Sequence, residues 1–215
     1  MGSHIKKEVI YKNRCAIKRT EFLNKLCDLD INKIVYIDET GIDNNLSNLR
    51  GWSLRGKKSF TQVLGFRTKR VTLIGGYCYG TKELIAPMEY IGYTNSEVFI
   101  TWVKSFLCRE LNPNQTVEMD NASFHKSSKI RELIEEAGCN LIYLPPYSPD
   151  LNPIEHVWAN LKRMIRVHPN REKDIHSAIS ESIGVLFMGN YITGANNYFD
   201  VVVNKDLYLV YSSEK

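Results

Sequence analysis

The segment 116–144 constrains the fold more than any other part of the sequence. Residues 116–120 form a short β-rich run, residues 128–138 carry an amphipathic helical pattern that stops at a glycine, and residues 140–144 form a second β-rich run. A strand, a helix and a strand joined by such short connections make a βαβ unit, which places the two strands parallel with a right-handed crossover. The segment therefore predicts an α/β domain that contains a parallel pair of strands.

The remaining apolar patterns extend this sheet and cover it with helices. In chain order they predict a lead-in helix before residue 31, a strand over 34–38, a hairpin of strands over 71–79 and 83–90, a helix over 94–107, a helix with Asn152 as N-cap and Pro153 in its first turn, and a helix over 172–187. The predicted fold is α/β with a mixed central sheet, in which an antiparallel hairpin is followed by parallel βαβ strands, and with helices on both faces.

The length limits the number of domains. A chain of 215 residues has room for one main domain with appendages. We expect a lead-in helix and a tag remnant over 1–30, the main domain over 31–168, and a C-terminal helix and tail of unknown role over 169–215. The tag remnant is inferred because residues 1–4 resemble the scar of an expression tag.

Composition excludes several classes of protein. No apolar run approaches the roughly 18 residues that a membrane-spanning helix needs, and the start of the chain lacks the apolar core of a signal peptide. The five cysteines are odd in number, widely spaced and without a C-x-x-C pair, which argues against a disulfide framework and a structural zinc site. We therefore expect a soluble protein of a reducing compartment, with no membrane partner.

Three carboxylates stand out by their positions. Asp38 and Asp120 each close a predicted strand, and Glu155 lies three residues after the predicted N-cap of a helix. Sites in α/β sheets form at the carboxyl ends of strands, so acids at two such ends can converge. Glu155 lies about 60° from Trp158 around its helix, at the edge of the buried stripe, and can face the same cleft.

The chemistry of such a cluster favours divalent cations. Three carboxylates cannot remain ionised together without cations, and hard oxygen ligands suit Mg²⁺ or Mn²⁺. Two such ions about 4 Å apart can activate an attacking hydroxyl and stabilise the leaving oxygen of a phosphodiester. The pattern indicates phosphoryl transfer on a polynucleotide. Each acid also has a simpler interpretation, because Glu155 can complete a helix cap and the two aspartates can form turns.

Three sequence blocks resemble the catalytic blocks of insertion-sequence DDE transposases of the mariner superfamily. Residues 37–41 read IDETG, residues 119–125 read MDNASFH, and residues 144–155 read LPPYSPDLNPIE. Thirty-four residues separate Asp120 from Glu155, which is the spacing of the Asp, Asp, Glu triad in that family. The resemblance covers about residues 30–168, and its third block is long enough to be highly specific.

The resemblance implies a fold, an activity and a set of partners. It implies an RNase H-like catalytic domain in which Asp38, Asp120 and Glu155 hold two Mg²⁺ (or Mn²⁺) ions. It implies cleavage of DNA at transposon ends by water, followed by attack of the freed 3′-hydroxyl on target DNA, typically at a TA dinucleotide. Family members act as dimers, so we expect a homodimer. Its DNA substrate leads us to expect a location in the cytoplasm, at the nucleoid, of a prokaryote or in the nucleus of a eukaryote.

The sequence departs from the family pattern ahead of the first strand. Such transposases usually carry helix-turn-helix modules there, which read the terminal repeats, whereas only about 30 residues precede the first predicted strand here. We expect either a catalytic fragment or a recognition module on another chain. The tail beyond residue 198 matches nothing in the family pattern and receives no role.

Three residues near Asp120 are candidates for auxiliary or structural roles. A histidine occupies the place of His125 in the resembling family, where it can orient a metal-bound water or contact the scissile phosphate; otherwise it is a loop histidine bonded to backbone. Asn121 either positions Asp120 or makes the turn. Glu118 shares strand parity with Asp120, and we interpret it as a solvated acid rather than an extra ligand.

The segment 50–70 is the electropositive part of the chain. It has seven basic residues and no acid, whereas the rest of the chain has 21 basic and 24 acidic residues. Its aromatic residues add stacking surfaces, so we interpret it as a DNA-binding segment rather than a solvated face. In mariner-type enzymes a loop here engages the partner subunit and DNA. With two residues that flank Glu155 on its helix, the candidate DNA-binding residues are Arg50, Arg55, Lys57, Lys58, Arg67, Lys69, Arg70, Lys162 and Arg166.

Two other functions are compatible with the sequence. An RNase H-like nuclease would use the same metals but never join strands. An inactive remnant would bind DNA through residues 50–70 without cutting it. The presence of all three carboxylates disfavours the inactive remnant, whereas a strand-transfer assay would separate the transposase from the nuclease.

Overall fold

The computed structural model describes residues 14–43, 46, 56–58, 60 and 70–188, which form one five-stranded sheet with helices on both faces. The strands are β1 (Ile34–Ile42), β2 (Val71–Cys78), β3 (Glu83–Ile91), β4 (Thr116–Met119) and β5 (Asn140–Tyr143). The helices are α1 (Ala16–Cys27), α2 (Ser96–Trp102), α3 (Cys108–Glu110), α4 (Ser128–Glu136), α5 (Ile154–Val167) and α6 (Ile175–Met188).

The sheet is mixed, with strand order β3-β2-β1-β4-β5. The pairs β1–β2 and β2–β3 are antiparallel, whereas β1–β4 and β4–β5 are parallel. The antiparallel hairpin and the parallel βαβ unit that the sequence predicts are both confirmed. β1 lies in the centre of the sheet and is hydrogen-bonded on both sides.

β1 runs four residues beyond its predicted end. Its parallel pairing with β4 stops at Tyr36, whereas its antiparallel pairing with β2 continues through Asp38 to Ile42. The prediction that Asp38 closes the strand is wrong, because β2 supplies backbone partners that the sequence of β1 alone does not reveal. Asp38 instead lies where β1 loses β4 as its neighbour. Asp120 directly follows β4, as predicted.

Each face of the sheet carries its own apolar core. On one face α2 and α4 pack side chains such as Trp102 and Ile134 against β1 and β4. On the other face α5 and α6 pack Trp158 and Ile179 against β1 and β2. The two layers hold the central strand rigidly between them, which fixes the position of any side chain at its end.

α5 approaches the sheet closely beside Asp38. Gly75 of β2 pairs with Asp38, and a Cβ atom at this glycine would lie 3.5 Å from the ring of Trp158 and 3.1 Å from Leu84. Trp158 is 2% exposed. The missing side chain at residue 75 therefore leaves room for the first turns of α5, which carry Glu155.

Two predicted helices differ in detail from the structure. The helix predicted over 94–107 is interrupted, because a π-helical turn over Val103–Leu107 follows α2 and leads into α3. This wide turn keeps Val103 and Leu107 both buried. The helix predicted to have Asn152 as N-cap begins one residue later, with Pro153 in the cap position.

Some predictions fall outside the described residues. They concern the tag remnant and the β-rich tail beyond residue 198. Within the described part of the chain, no helix combines the length and apolar character that crossing a membrane requires.

Candidate active site

A pocket of about 480 Å³ lies at the end of β4, beside the point where β1 and β4 separate. The structure brings all three predicted carboxylates to this pocket. Its lining residues are Asp38, Asp120, Asn121, Ala122, Leu144, Pro145, Pro146, Tyr147, Ser148, Pro149, Asn152 and Glu155. One side is therefore made by Asp38 within β1 and by the residues that directly follow β4, and the other by the loop that leads into α5.

Negative charge is concentrated around Asp38. Burial, followed by the charge of Glu155 and then that of Glu39, raises the pKa of Asp38 to about 8. Asp120 adds a smaller contribution in the same direction. A carboxyl group that is disfavoured as an anion by its acidic neighbours is one that a divalent cation would stabilise strongly.

Asp120 is held in one orientation by two hydrogen bonds. Its Oδ1 atom accepts from the backbone N–H of Ala122 at 2.9 Å and lies 2.5 Å from Nδ1 of His125. Burial acts to raise the pKa of Asp120, but these hydrogen bonds lower it below its ordinary value. The carboxylate thus stays ionised and keeps its second oxygen for another partner.

His125 bridges two acidic residues from different strands. Its Nε2 atom lies 3.1 Å from Oε1 of Glu39, opposite the bond to Asp120. Burial acts to lower the pKa of His125, but the hydrogen bonds to Asp120 and Glu39 raise it to about 9. The ring is therefore an imidazolium that donates to both carboxylates.

The environment of His125 differs from that expected for a phosphate contact or for a loop histidine bonded only to backbone. Its side chain has no exposed surface and packs between Phe99 and Phe124, at ring-centroid distances of 4.2 and 4.3 Å. A fully enclosed ring cannot contact a phosphate in the pocket. The residue is also more than a backbone-bonded loop histidine, because both ring nitrogens contact carboxylates, while its carbonyl accepts from the Tyr143 hydroxyl at 2.9 Å.

Glu155 occupies the opposite side of the pocket, at the exposed start of α5. The loop ahead of it is tied to the sheet by Asn152, whose side-chain amide donates to the Ile37 carbonyl at 3.3 Å. The same side chain accepts from the N–H of Ile154 at 3.3 Å. Asn152 is 4% exposed, so one buried side chain connects the strand of Asp38 to the helix of Glu155.

The carboxylates fit the donor set of a two-ion site. In the part of the chain that the structure describes, no group of three or more His, Cys, Asp or Glu side chains is already arranged to hold a metal ion. A two-ion site does not need such a group, because Mg²⁺ keeps several waters and binds through one or two carboxylates plus substrate phosphates. Asp38, Asp120 and Glu155 therefore offer to the pocket the carboxylate oxygens that such cations bind.

The predicted DNA-binding residues lie in different environments. Arg50, Arg55, Arg67 and Lys69 lie outside the described residues, and Lys57 and Lys58 are exposed. Lys162 is half-buried near Glu155; burial lowers its pKa, and the charge of Glu155 acts in the opposite direction.

The two remaining arginines contact protein groups. Arg70 is exposed, and its guanidinium lies 5.0 Å from the ring centre of Tyr93, in the space that a side chain at Gly41 would fill. Arg166 donates to the carbonyl of Leu46 at 3.2 Å, which commits it to a structural contact.

Two interpretations of residues beside Asp120 change. Glu118 is not solvated: it is 0% exposed, and neither of its carboxylate oxygens has a hydrogen-bond partner among the described atoms. Burial raises its pKa to about 8. Asn121 lines the pocket, but the hydrogen bonds that orient Asp120 come from Ala122 and His125.

Sequence reasoning missed Glu39 and the bridging role of Asn152. Glu39 directly follows Asp38 in β1, so it points to the opposite face of the sheet, where an acid needs a partner. The alternation of side chains along β1 was therefore the sequence signal that could have identified Glu39. The long-range bond from Asn152 to β1 left no signal in the local pattern.

Comparisons with known proteins agree with the resemblance of the sequence blocks 37–41, 119–125 and 144–155 to transposases. Residues 33–175 match the family described as DDE superfamily endonuclease. The chain is 42% identical over 158 residues to the Tc3 transposase of Caenorhabditis elegans, covering 69% of this chain and 47% of that protein. It is 31% identical over 78 residues to the Tc1 transposase of the same species, covering 36% of this chain and 28% of that protein. The chain spans less than half the length of these relatives.

Solved structures share the fold. The Mos1 transposase paired-end complex with left transposon end has a TM-score of 0.65 at 16% identity, covering 93% of this chain and 62% of that chain. The Mos1 mariner paired end complex with Mn has a TM-score of 0.61 at 14% identity, covering 92% and 61%. The catalytic domain of Mos1 mariner transposase has a TM-score of 0.54 at 15% identity, covering 91% and 88%. The predicted RNase H-like fold class is confirmed.

Proposed function

The chain belongs to the DDE superfamily endonucleases, as a catalytic domain of the mariner superfamily of transposases, and on that premise we propose that it cuts DNA at transposon ends and joins the freed 3′-hydroxyl to target DNA. The observation that carries the proposal is the convergence of Asp38, Asp120 and Glu155 on one pocket from a central strand, a strand end and a helix start. Burial, followed by the charges of the neighbouring acids, raises the pKa of Asp38, so a bound cation would stabilise its anionic form.

The three carboxylates would hold two divalent ions, Mg²⁺ or Mn²⁺. When bound, these ions supply Lewis acidity that activates the attacking oxygen and stabilises the leaving oxygen of a phosphodiester. The Mos1 mariner paired end complex with Mn, which shares the fold, supports a divalent cation here. The donor chemistry is the stronger support, because carboxylate oxygens are the ligands that these hard cations prefer.

The chain's own residues orient the ligands and the DNA backbone. His125, held by Glu39, fixes the orientation of Asp120, and Asn152 fixes the start of α5 relative to β1. Lys162 is seven residues after Glu155 on the same helix and half-buried beside it, so we assign it a contact to a DNA phosphate. Positioning of this kind lowers the barrier because the ligands need not reorganise when the substrate binds.

The proposed partners are transposon ends, target DNA with a TA dinucleotide, and a second copy of the chain. The family resemblance supports each of them, and the Mos1 transposase paired-end complex with left transposon end shares the fold. The basic residues of segment 50–70 would contact the DNA backbone. Such a substrate places the protein at the nucleoid or in the nucleus.

Cleavage of DNA that carries the cognate ends tests the proposal. We expect nicking with Mg²⁺ or Mn²⁺, none with EDTA, and none from the Asp120→Asn variant, because an amide cannot supply the anionic ligand. Full activity of Asp120→Asn would contradict the proposed site. The fold of the variant is checked by circular dichroism.

A strand-transfer assay separates the transposase from a nuclease that shares its metals. Pre-cleaved ends with a free 3′-hydroxyl are incubated with a supercoiled target plasmid. Joined products support the transposase, whereas cleavage without joining indicates an RNase H-like nuclease. Calorimetric titration with Mn²⁺ covers the third function, because an inactive DNA-binding remnant would bind DNA without binding the metal.

A further inference from the structure

Asp150 lies in the loop that leads into α5 and forms ion pairs with two arginines from the other end of the sequence. Arg19 of α1 binds it through both guanidinium nitrogens, at 3.1 Å to Oδ1 and 2.8 Å to Oδ2. Arg14 adds a third contact to Oδ2 at 2.8 Å. We call these contacts the Asp150 ion pairs. They span 131 and 136 residues of sequence.

Arg19 is the stronger partner of the two. Its paired contact has the geometry in which a guanidinium binds a carboxylate best, and its side chain is 14% exposed against 26% for Arg14. The buried Nε of Arg14 has no hydrogen-bond partner within the described residues. Although burial acts to raise it, the hydrogen bond and charge of Arg19 lower the pKa of Asp150.

α1 packs against the domain and holds Arg19, and Arg14 just before the helix, in place. Phe22, three residues after Arg19, is 6% exposed and packs into the body of the domain. Leu26 packs against the core on the α5 face of the sheet. The packing of α1 on that core therefore fixes the positions of the two guanidinium groups.

A continuous series of turns connects Asp150 to Glu155. The N–H of Asn152 donates to the carbonyl of Pro149 at 2.9 Å, and the N–H of Glu155 donates to the carbonyl of Asn152 at 3.2 Å. Pro149 itself lines the pocket. Because the two hydrogen-bonded turns share Asn152, fixing Asp150 restrains the backbone of Glu155.

Glu155 needs such a restraint. It is exposed, it lies in the first turn of its helix, and its charge acts against that of Asp38 across the pocket. A first-turn side chain that faces solvent has few contacts of its own, so its position depends on the loop that precedes the helix.

We propose that Arg19, assisted by Arg14, is a positioning residue that binds Asp150 and thereby holds Glu155 at the distance from Asp38 that the reaction requires. The inference rests on the proposed function for the reaction itself. It goes beyond the family match, because that match covers residues 33–175 and both arginines precede it.

The test compares three single variants of the full chain, and the double variant Asp150→Asn/Arg19→Gln, with a matched control. Asp150→Asn and Arg19→Gln each remove the charged contact, whereas Asp150→Glu keeps a carboxylate. The control is Glu135→Gln, which removes another exposed arginine–carboxylate pair, Arg131–Glu135 on α4. Each variant is assayed for the Mn²⁺-dependent nicking rate at saturating DNA and for DNA affinity without divalent metal.

We expect Asp150→Asn and Arg19→Gln to lower the nicking rate about five- to tenfold, as for loss of a partly exposed charge-assisted hydrogen bond. DNA affinity should stay within about twofold, and the double variant should be no slower than Asp150→Asn alone, because that substitution already removes the charged contact with Arg19. Asp150→Glu and Glu135→Gln should stay near the wild-type rate. Unchanged rates in Asp150→Asn and Arg19→Gln would overturn the proposal.

Hydrogen exchange in the metal-free protein gives a readout that does not depend on activity. We expect the amides of residues 151–156 to exchange faster in Asp150→Asn and Arg19→Gln and at the wild-type rate in Glu135→Gln. Unchanged exchange in the first two variants would overturn the proposal. A wild-type protein that cuts no DNA would contradict the proposed function alone, and the exchange comparison would still decide whether the Asp150 ion pairs hold the turn before α5.

Discussion

On the strand side of the pocket Asp120 is hydrogen-bonded to Ala122 and to a histidine that is fully buried between two aromatic rings. On the helix side Glu155 is exposed, and its position depends on the loop before α5. The first carboxylate is therefore fixed by the core of the domain, and the other by a small number of polar contacts. The comparison teaches that a site of this kind can be pre-organised on one side and adjustable on the other.

The largest effect should come from removing a carboxylate on either side. Asp120→Asn and Glu155→Gln are each expected to lower DNA nicking at least about 10³-fold, because each loses an anionic ligand for the ions. Single-turnover nicking with Mn²⁺ measures the effect. If Glu155→Gln kept full activity while Asp120→Asn lost it, the two sides would not form one site.

The next effect should come from the buried histidine. His125→Asn loses the contact that orients Asp120 and leaves the Glu39 carboxylate without its partner, so we expect a loss of about 10- to 100-fold in nicking or in Mn²⁺ affinity. His156→Asn is the control, because His156 is an exposed neighbour of Glu155. Equal activity of both variants would show that the strand side needs no buried support.

A smaller effect is expected at the contact between the two sides. Asn152→Ala removes both the bond to the Ile37 carbonyl and the bond from the Ile154 N–H, and should slow nicking about tenfold without changing DNA affinity. Asn152→Asp keeps only the acceptor. A slow Asp variant would identify the bond to β1 as the important one, and a fast Asp variant would assign the effect to the helix start.

The smallest effect on activity should come from Glu118, whose variant instead changes stability. Burial raises the pKa of Glu118 from its ordinary value near 4.5 to about 8. The folded state therefore binds this proton more tightly than the unfolded state, and the free energy of unfolding falls as pH rises between these values. Glu118→Gln should match the wild type near pH 4.5 and be more stable by about 1–3 kcal/mol above pH 8, measured by urea unfolding. Equal stability at both pH values would contradict the buried position of the carboxylate.

The sequence predicts the sheet well because its strands and helices have clear local patterns. The βαβ unit, the hairpin and the stripe of α5 are all periodic, and tertiary contacts only refine their ends. The predicted end of β1 was wrong because the last four residues of the strand are stabilised by pairing with β2, which begins 29 residues after Ile42. Local patterns do not contain such partners.

The sequence predicts the three carboxylates of the site but not the contacts that hold them in place. Asp38, Asp120 and Glu155 were named from strand ends, a helix start and a family resemblance, and the structure brings them to one pocket. Glu39 and the long-range bond of Asn152 depend on which elements face each other. His125 was named, but its burial arises from aromatic packing that no local spacing predicts.

The position of α1 has a practical consequence for dissecting the protein. A fragment cut to the limits of the family match would begin at residue 33 and would lose both guanidinium groups together with the buried ring of Phe22. Such a fragment would retain the three carboxylates of the pocket yet lack the helix whose arginine binds the loop before α5. Expression trials for crystallography or activity should therefore set their first residue upstream of Arg14.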